Sequence, residues 1–240
     1  MISPKAARDR KRKPVPIPVP PQPKPTGQAY KLKQPAFGDF SGWDENTDVS
    51  SFGMNALYTR ATAGKSYVDP TFSWYREQAS KNGLCFGAFH YFEINDVQKQ
   101  IDNFLRVALG CQWLILDAEY DPGPWPLGLR GEALANQYKA FLDGVEQRTG
   151  FLPWIYTNLK SWAFTVYDPT GKKDRRNYQY PLWSSKYPVI VAWYPNQPDA
   201  WSYPAETMVP SCFKDVRGWQ YQDNGRSCGL PFNDVNVWLK

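Results

Sequence analysis

The 240-residue chain has one histidine, His90. It lies in Phe89-His90-Tyr91-Phe92, an apolar strand pattern that reads as a hydrogen-bonded core position rather than a base. With no other imidazole, a His-rich metal centre and a serine triad are excluded. Cysteine is scarce too. Cys85, Cys111, Cys212 and Cys228 are too widely spaced for any zinc pattern. Cys85 and Cys111, in or beside predicted strands, read as small buried core residues, and a Cys212–Cys228 bridge stays open. There is no Gly-rich phosphate loop and no internal repeat, so no cofactor is expected. No run of about 18 apolar residues exists, so no membrane-spanning helix is expected. The N-terminal segment is charged but lacks an apolar stretch, unlike a standard secretory signal.

Charge is abundant in one place only. Residues 1–33 carry nine Lys or Arg against Asp9 alone, while the whole chain nets +5. The remainder is therefore slightly acidic, and no nucleic acid is expected as a primary partner. Pro14 to Pro25 form a proline-rich run that should be an extended, semi-rigid spacer. Three uses stay open for residues 1–35: a linker docking on a larger assembly, a contact with an anionic surface, or an inert extension.

From residue 36 strand and helix patterns alternate. Strands are expected at 36–40, 55–60, 84–92, 112–119, 153–157, 188–194 and 216–221, and helices at 70–82, 95–108 and 130–149. Such alternation predicts a parallel sheet with helices outside. At this length it takes the form of an α/β barrel with its site at the C-terminal strand ends. After residue 157 the chain turns rich in Trp, Tyr and Pro and loses helical periodicity. The last third of an irregular, TIM-barrel-like fold over 36–240 is thus expected to be mainly strands and loops. Aromatic residues reach 16%. That exceeds the needs of a core, and stacking on sugar rings is one use for the excess.

Leu114-Ile115-Leu116-Asp117-Ala118-Glu119 carries the chemistry. An apolar strand ends in two carboxylates at i and i+2, side by side on one face. Two close carboxylates cannot both ionise freely, so one proton donor and one anion coexist near neutral pH. Glycosidic cleavage uses that pair of states. Asp39 also falls at a predicted strand end, and Asp234 lies in Asn233-Asp234-Val235-Asn236 near the C-terminus.

These residues together resemble the family-25 glycoside hydrolases, the Chalaropsis-type muramidases (lysozymes) found in many phage lysins. Asp39-Phe40-Ser41-Gly42-Trp43 resembles the opening Asp-x-Ser-x-Trp. The run from Leu57 to Asp69 is similar to the Lys-Ala-Thr-Glu-Gly strand and loop, and Gly83 to Phe92 to Gly-Leu-x-x-Gly-x-Tyr-His-Phe. Asp117-Ala118-Glu119 matches the catalytic Asp-x-Glu. Trp154-Ile155-Tyr156-Thr157, Trp219-Gln220-Tyr221 and Asp234-Val235-Asn236 match later elements. Three departures stand out. Arg60 replaces a usual Lys, Ala63 replaces a usual Glu that would partner it, and Phe89 replaces a Tyr. Both Tyr180–Trp183 and Tyr187–Tyr194 resemble one family strand. The second is preferred, since Pro195 and Trp201 follow it, and the first then belongs to an insertion with Lys172, Lys173, Arg175 and Arg176.

The resemblance implies hydrolysis of the β-1,4 bond between N-acetylmuramic acid and N-acetylglucosamine in bacterial peptidoglycan. Glu119 is the candidate general acid, Asp117 the neighbouring anion, and Asp39 and Asp234 complete an acidic pocket. Trp43, Tyr91, Tyr156, Trp193 and Trp219 are the candidate sugar contacts. A carboxylate, an activated water and the substrate's acetamido oxygen all stay open as nucleophile. The implied setting is a phage lysin or a virion-associated enzyme. The alternative is a non-catalytic wall-binding or virion structural protein of the same fold.

Overall fold

The computed structural model describes residues 36–44, 47–50, 53–124, 128–194, 209–223 and 234–239. The expected tail, 1–35, lies outside them, as do Pro195, Trp201 and Cys228. Among the described residues the strands are β1 (Ala36–Phe40), β2 (Ala56–Ala63), β3 (Tyr67–Val68), β4 (Cys85–Tyr91), β5 (Trp113–Asp117), β6 (Trp154–Asn158), β7 (Val189–Ala192), β8 (Val216–Gln222) and β9 (Val235–Trp238). The α-helices are α1 (Phe72–Lys81), α2 (Val97–Ala108), α3 (Gly131–Thr149) and α4 (Leu159–Ala163).

Seven strands run parallel in the order β1-β2-β4-β5-β6-β7-β8. β9 then inserts antiparallel between β8 and β1 and closes an irregular eight-stranded barrel. β3 only folds back on β2. The expected α/β barrel is the fold that forms. Tyr187–Tyr194 supplies β7, whereas Leu182–Lys186 is a 3-10 turn, as the preferred alignment requires. The last third differs from expectation in two respects: β9 forms where no strand was expected, and a short helix appears. The short helix α4 interrupts it, capped by the Asn158 side chain accepting from Ser161 N–H at 2.8 Å. Five residues are too few to show a helical period.

Local chemistry explains the longer helices. Asp96 caps α2 by accepting from Lys99 N–H at 3.1 Å. Gly150 ends α3 at φ 73°, a left-handed position where a Cβ would be strained. Both helices turn Phe104, Phe141, Leu142 and Val145 onto the outer face of the sheet. His90 points into the same layer. Its Nδ1 is 2.7 Å from Thr62 Oγ1, its Nε2 3.0 Å from Gln100 Oε1, and its ring stacks on Phe141. Burial lowers its pKa to about 4. It is the satisfied core residue that its strand pattern predicts.

The barrel interior is aromatic at one end and acidic at the other. Phe37, Tyr58, Phe89, Ile115, Tyr156 and Ile190 fill its middle. Trp113, Trp154 and Trp238 meet in a triangle, with ring centroids 5.5–6.3 Å apart, at the N-terminal ends of the parallel strands. Trp238 also stacks on Phe37 at 4.0 Å. Much of the aromatic excess therefore seals the barrel floor or packs outside it, as Trp162 does. Cys85 and Cys111 are half-buried free thiols rather than fully buried ones, because Cys85 opens β4 and Cys111 lies in the loop between α2 and β5. Cys212 is a free buried thiol whose sulfur accepts from Trp162 Nε1 at 3.2 Å.

Gly218 faces the packed interior from β8. A Cβ there would meet the Phe37 ring at 2.7 Å, and Phe37 is pinned by Trp238. Gly218→Ala is expected to lower stability by about 1–3 kcal/mol through overpacking. A urea unfolding midpoint equal to wild type would show that the ring yields.

Candidate active site

The parallel strands all end on one side, and β9, running the other way, begins there. That geometry gathers side chains that are remote in sequence. β1 delivers Asp39, β2 Tyr58 and Arg60, β4 Phe89 and Tyr91, β5 Asp117 followed by Glu119, and β6 Tyr156. Tyr194 follows β7, Gln220 lies on β8, and Asp234 directly precedes β9. With Ser41 they line one cleft of about 270 Å³. All four predicted acids are in it. β5 itself stops at Asp117, two residues short of Glu119.

Burial dominates the electrostatics. It raises the pKa of Asp117, and the Glu119 charge adds to the rise, while Arg60 opposes it. Glu119 is raised by burial, with one opposing hydrogen bond from Asn158 Nδ2 to its Oε1. Burial also raises Asp39, assisted by Asp234 and opposed by the Tyr58 hydroxyl. Asp234 is pushed up to about 7 by burial and then by Asp44 and Asp223. Four acids held in a water-poor cleft are thus biased toward the protonated form. Asp117 Oδ1 is buried with no hydrogen-bond partner among the described residues. A buried acceptor without a donor is costly unless a ligand supplies one.

Asp39 is held differently. Its Oδ2 accepts from Tyr58 Oη at 2.7 Å and from Gln220 Nε2. The Gln220 carbonyl accepts in turn from Tyr156 Oη at 2.6 Å and from Tyr194 Oη. Two hydroxyls from β6 and the β7 end are therefore wired through one amide to a carboxylate on β1. Gln220 and Tyr194 lie in stretches matched to family strands but are not among the predicted site residues. The signal that locates them is period-2 spacing: Gly218 and Gln220 face inward together, as do Ile190 and Ala192 below Tyr194.

Arg60 is not left without a partner by Ala63. Its guanidinium pairs with Asp69, with Nε and Nη2 each 2.8 Å from Oδ2. Asp69 also accepts from Gly42 N–H at 3.0 Å, from Thr71 N–H at 3.0 Å and from the Thr71 hydroxyl at 2.7 Å. One carboxylate ties together the loop after β1, the edge of the cleft and the start of α1. A β-bulge between Arg60 and Thr62 sets Ala63 beside Tyr91.

The predicted sugar contacts divide. Tyr91 and Tyr156 line the cleft. Trp43 stands 78% exposed beyond Ser41. Trp219 is 1% exposed in a separate outer cluster, stacked on Trp193, whose carbonyl accepts its Nε1–H at 2.8 Å. Neither of this pair lines the cleft. Strand alternation explains why: Gln220 faces in, so Trp219 faces out. No group of three or more His, Cys, Asp or Glu among the described residues is placed to hold a metal ion.

The raised acids have a consequence for stability. A pKa higher in the folded than in the unfolded state means that the fold binds more protons, so stability falls as pH rises through the folded value. Asp117→Asn removes one such group. Its melting temperature should exceed wild type at pH 7 by a few degrees, on a scale of about 2–4 °C per kcal/mol at this chain length. The difference should vanish below about pH 4, where Asp is protonated in both states. Calorimetry across about pH 3–8 checks this, and a constant offset would count against it.

Comparison with known proteins follows the same line. The sequence matches the glycosyl hydrolases family 25 over residues 38–230, which include Asp39, Asp117 and Glu119. It is 26% identical over 212 residues to the uncharacterized protein YegX of Escherichia coli O6:H1, covering 80% of this chain and 64% of that protein. It is 28% identical over 204 residues to lysozyme M1 of Streptomyces globisporus, covering 80% of this chain and 63% of that protein. The chain thus spans slightly less than two thirds of these relatives. In fold it is similar to the bacterial lysozyme from Streptomyces coelicolor, with a TM-score of 0.65 and 24% identity over 86% of this chain and 93% of that one. With the match running from β1 through β8, the chain belongs to glycosyl hydrolases family 25.

Proposed function

We propose that the protein is a muramidase that hydrolyses the β-1,4 bond between N-acetylmuramic acid and N-acetylglucosamine in bacterial peptidoglycan. The observation that carries this reading is the convergence of Asp39, Asp117, Glu119 and Asp234 on one cleft, with burial raising all four. Family membership and the likeness to lysozyme M1 support it.

Glu119 is the proton donor in this reading. Burial keeps its proton on at a pH where an exposed Glu would have lost it, and Asn158 fixes its orientation. As the glycosidic bond breaks, that proton passes to the leaving oxygen. Asp117 supplies the buried acceptor Oδ1, which suits the N–H of the sugar's 2-acetamido group. Accepting that N–H would aim the acetamido oxygen at the anomeric carbon. Asp39, held by Tyr58 and Gln220, is the group that, once ionised, places negative charge opposite the positive charge that develops on the sugar ring. Tyr91 and Tyr156 offer sugar contacts inside the cleft, and Trp43 offers an exposed ring beyond it.

For the biological setting we keep the proposal of a phage lysin or particle-borne enzyme. Its support is compositional: a basic, proline-rich run precedes the barrel and suits a tether.

Reducing-sugar release from purified peptidoglycan tests the activity. Glu119→Gln should lower kcat by about 10²–10⁴-fold while the variant stays folded. Equal release by wild type and variant would remove Glu119 from the role. Wall binding by a folded wild type that releases no sugar would favour the non-catalytic reading. The pH profile carries its own sign: because the acid must be protonated, kcat/KM should fall on the alkaline side as Glu119 ionises. A profile that rises steadily through pH 8 would rule out an essential protonated Glu119.

A further inference from the structure

The β6–β7 crossover carries residues 168–178, Asp-Pro-Thr-Gly-Lys-Lys-Asp-Arg-Arg-Asn-Tyr, a basic segment in a body that is otherwise slightly acidic. An isolated antiparallel bridge closes it. Tyr167 N–H donates to Gln179 O at 3.1 Å, and Gln179 N–H returns to Tyr167 O at 2.8 Å. Its two acids are turned on the loop itself. Asp168 accepts from Thr170 N–H at 2.8 Å, from the Thr170 hydroxyl at 2.7 Å and from Asp174 N–H at 3.0 Å. Asp174 accepts from Arg176 N–H at 3.0 Å and pairs with the Arg176 guanidinium at 2.6 Å. Lys172, Lys173 and Arg175 remain exposed, and none has an ion pair among the described residues. Lys173 is also the non-glycine residue at positive φ, 55°, among those described. A lysine in that strained region is held there because the Asp168 carboxylate pins the following N–H.

The loop is anchored at the cleft end of the barrel. β6 ends at Asn158, whose amide reaches Glu119. The chain then passes Phe164, whose carbonyl accepts from Gly131 N–H at 2.7 Å at the start of α3. The Arg130 guanidinium lies 4.8 Å from the centre of the Phe164 ring. A turn stiffened by its own carboxylates thus holds three cations without ion pairs, on a crossover that leaves β6 at the cleft end. A fitting ligand carries repeated negative charge on the same polymer as the scissile bond.

We propose that this loop is a substrate-binding surface, in which Lys172, Lys173 and Arg175 engage the carboxylates of the peptide stems that hang from the glycan strand. The proposal rests on the muramidase reading and deepens it. Holding the stems adds a second attachment to the one in the cleft and raises the effective concentration of the scissile bond there. Exposed cations act over about a Debye length, so the gain is salt-dependent.

The test uses the full chain and the triple variant Lys172→Ser/Lys173→Asn/Arg175→Ser. Asn is chosen at 173 because it tolerates positive φ. Both are assayed on solubilised glycan strands that retain their peptide stems and on strands stripped of them by an amidase, with the lactyl carboxylates so freed capped as methylamides. Binding to the same strands, immobilised, is read in a Glu119→Gln background so that the ligand is not consumed. The variant should raise KM and weaken binding about fivefold on stem-bearing strands at low salt, with kcat unchanged. It should match wild type on stripped strands, and the difference should disappear at about 0.5 M salt. Equal loss on both strands, or no loss on either, would overturn the proposal. So would lost binding to anionic phospholipid vesicles with strand binding intact, which would assign the loop to a lipid surface. The two readings fail separately. Stem-dependent binding without sugar release would sink the muramidase reading alone, and sugar release without stem dependence would sink this one alone.

Discussion

Closure of the barrel by β9 is the constraint on which the rest depends. Seven parallel strands leave two edges, and a four-residue strand fills the gap by pairing antiparallel with β1 and β8. Because it runs against the others, its first residues lie where the others end. Asp234 therefore joins the cleft, and Trp238, at the far end of the same strand, joins the aromatic floor. One short strand sets an acid at the top and a ring at the bottom.

The closed barrel makes the acids unusual. Each carboxylate is withdrawn from water by the strands around it, and burial leads every upward shift. The compensating contacts are few and specific. Asn158 serves Glu119, Tyr58 and Gln220 serve Asp39, and Arg60 tempers Asp117. Arg60 is itself neutralised by Asp69, which explains how the cleft tolerates Ala63. Unequal compensation allows neighbouring acids to hold different protonation states in one site.

Beside exposed Trp43 and the outer Trp193–Trp219 pair, three populations of aromatic residues stand out. One group seals the barrel floor, a second packs beneath the helices, and a third faces the cleft through hydroxyls. In the cleft the tyrosines are tied to polar partners. Tyr58 donates to Asp39, and Tyr156 and Tyr194 donate to Gln220. These rings extend the core and the hydrogen-bond network at once.

Most of the fold was legible in the sequence. Apolar periodicity over 97–108 and 131–149, Gly150 as a stop, and the apolar runs at 113–117 and 189–192 are local signals, and they place their elements within a few residues. The pairing of Asp117 with Glu119 was also local, since two residues of extended chain bring both to one face. α4 and β9 were not legible, because five and four residues are too short to carry a period. The partner of Arg60, the Gln220 relay and the outward turn of Trp219 were settled only by tertiary structure. Each depends on which strands become neighbours and which face of each strand turns inward. The sequence by itself determined the longer strands and helices and the acids that stand at their ends. Barrel closure alone decided which acids share a cleft and which aromatics reach it, because that choice is made by contacts between segments remote in the chain, such as Asp39 and Gln220, 181 positions apart.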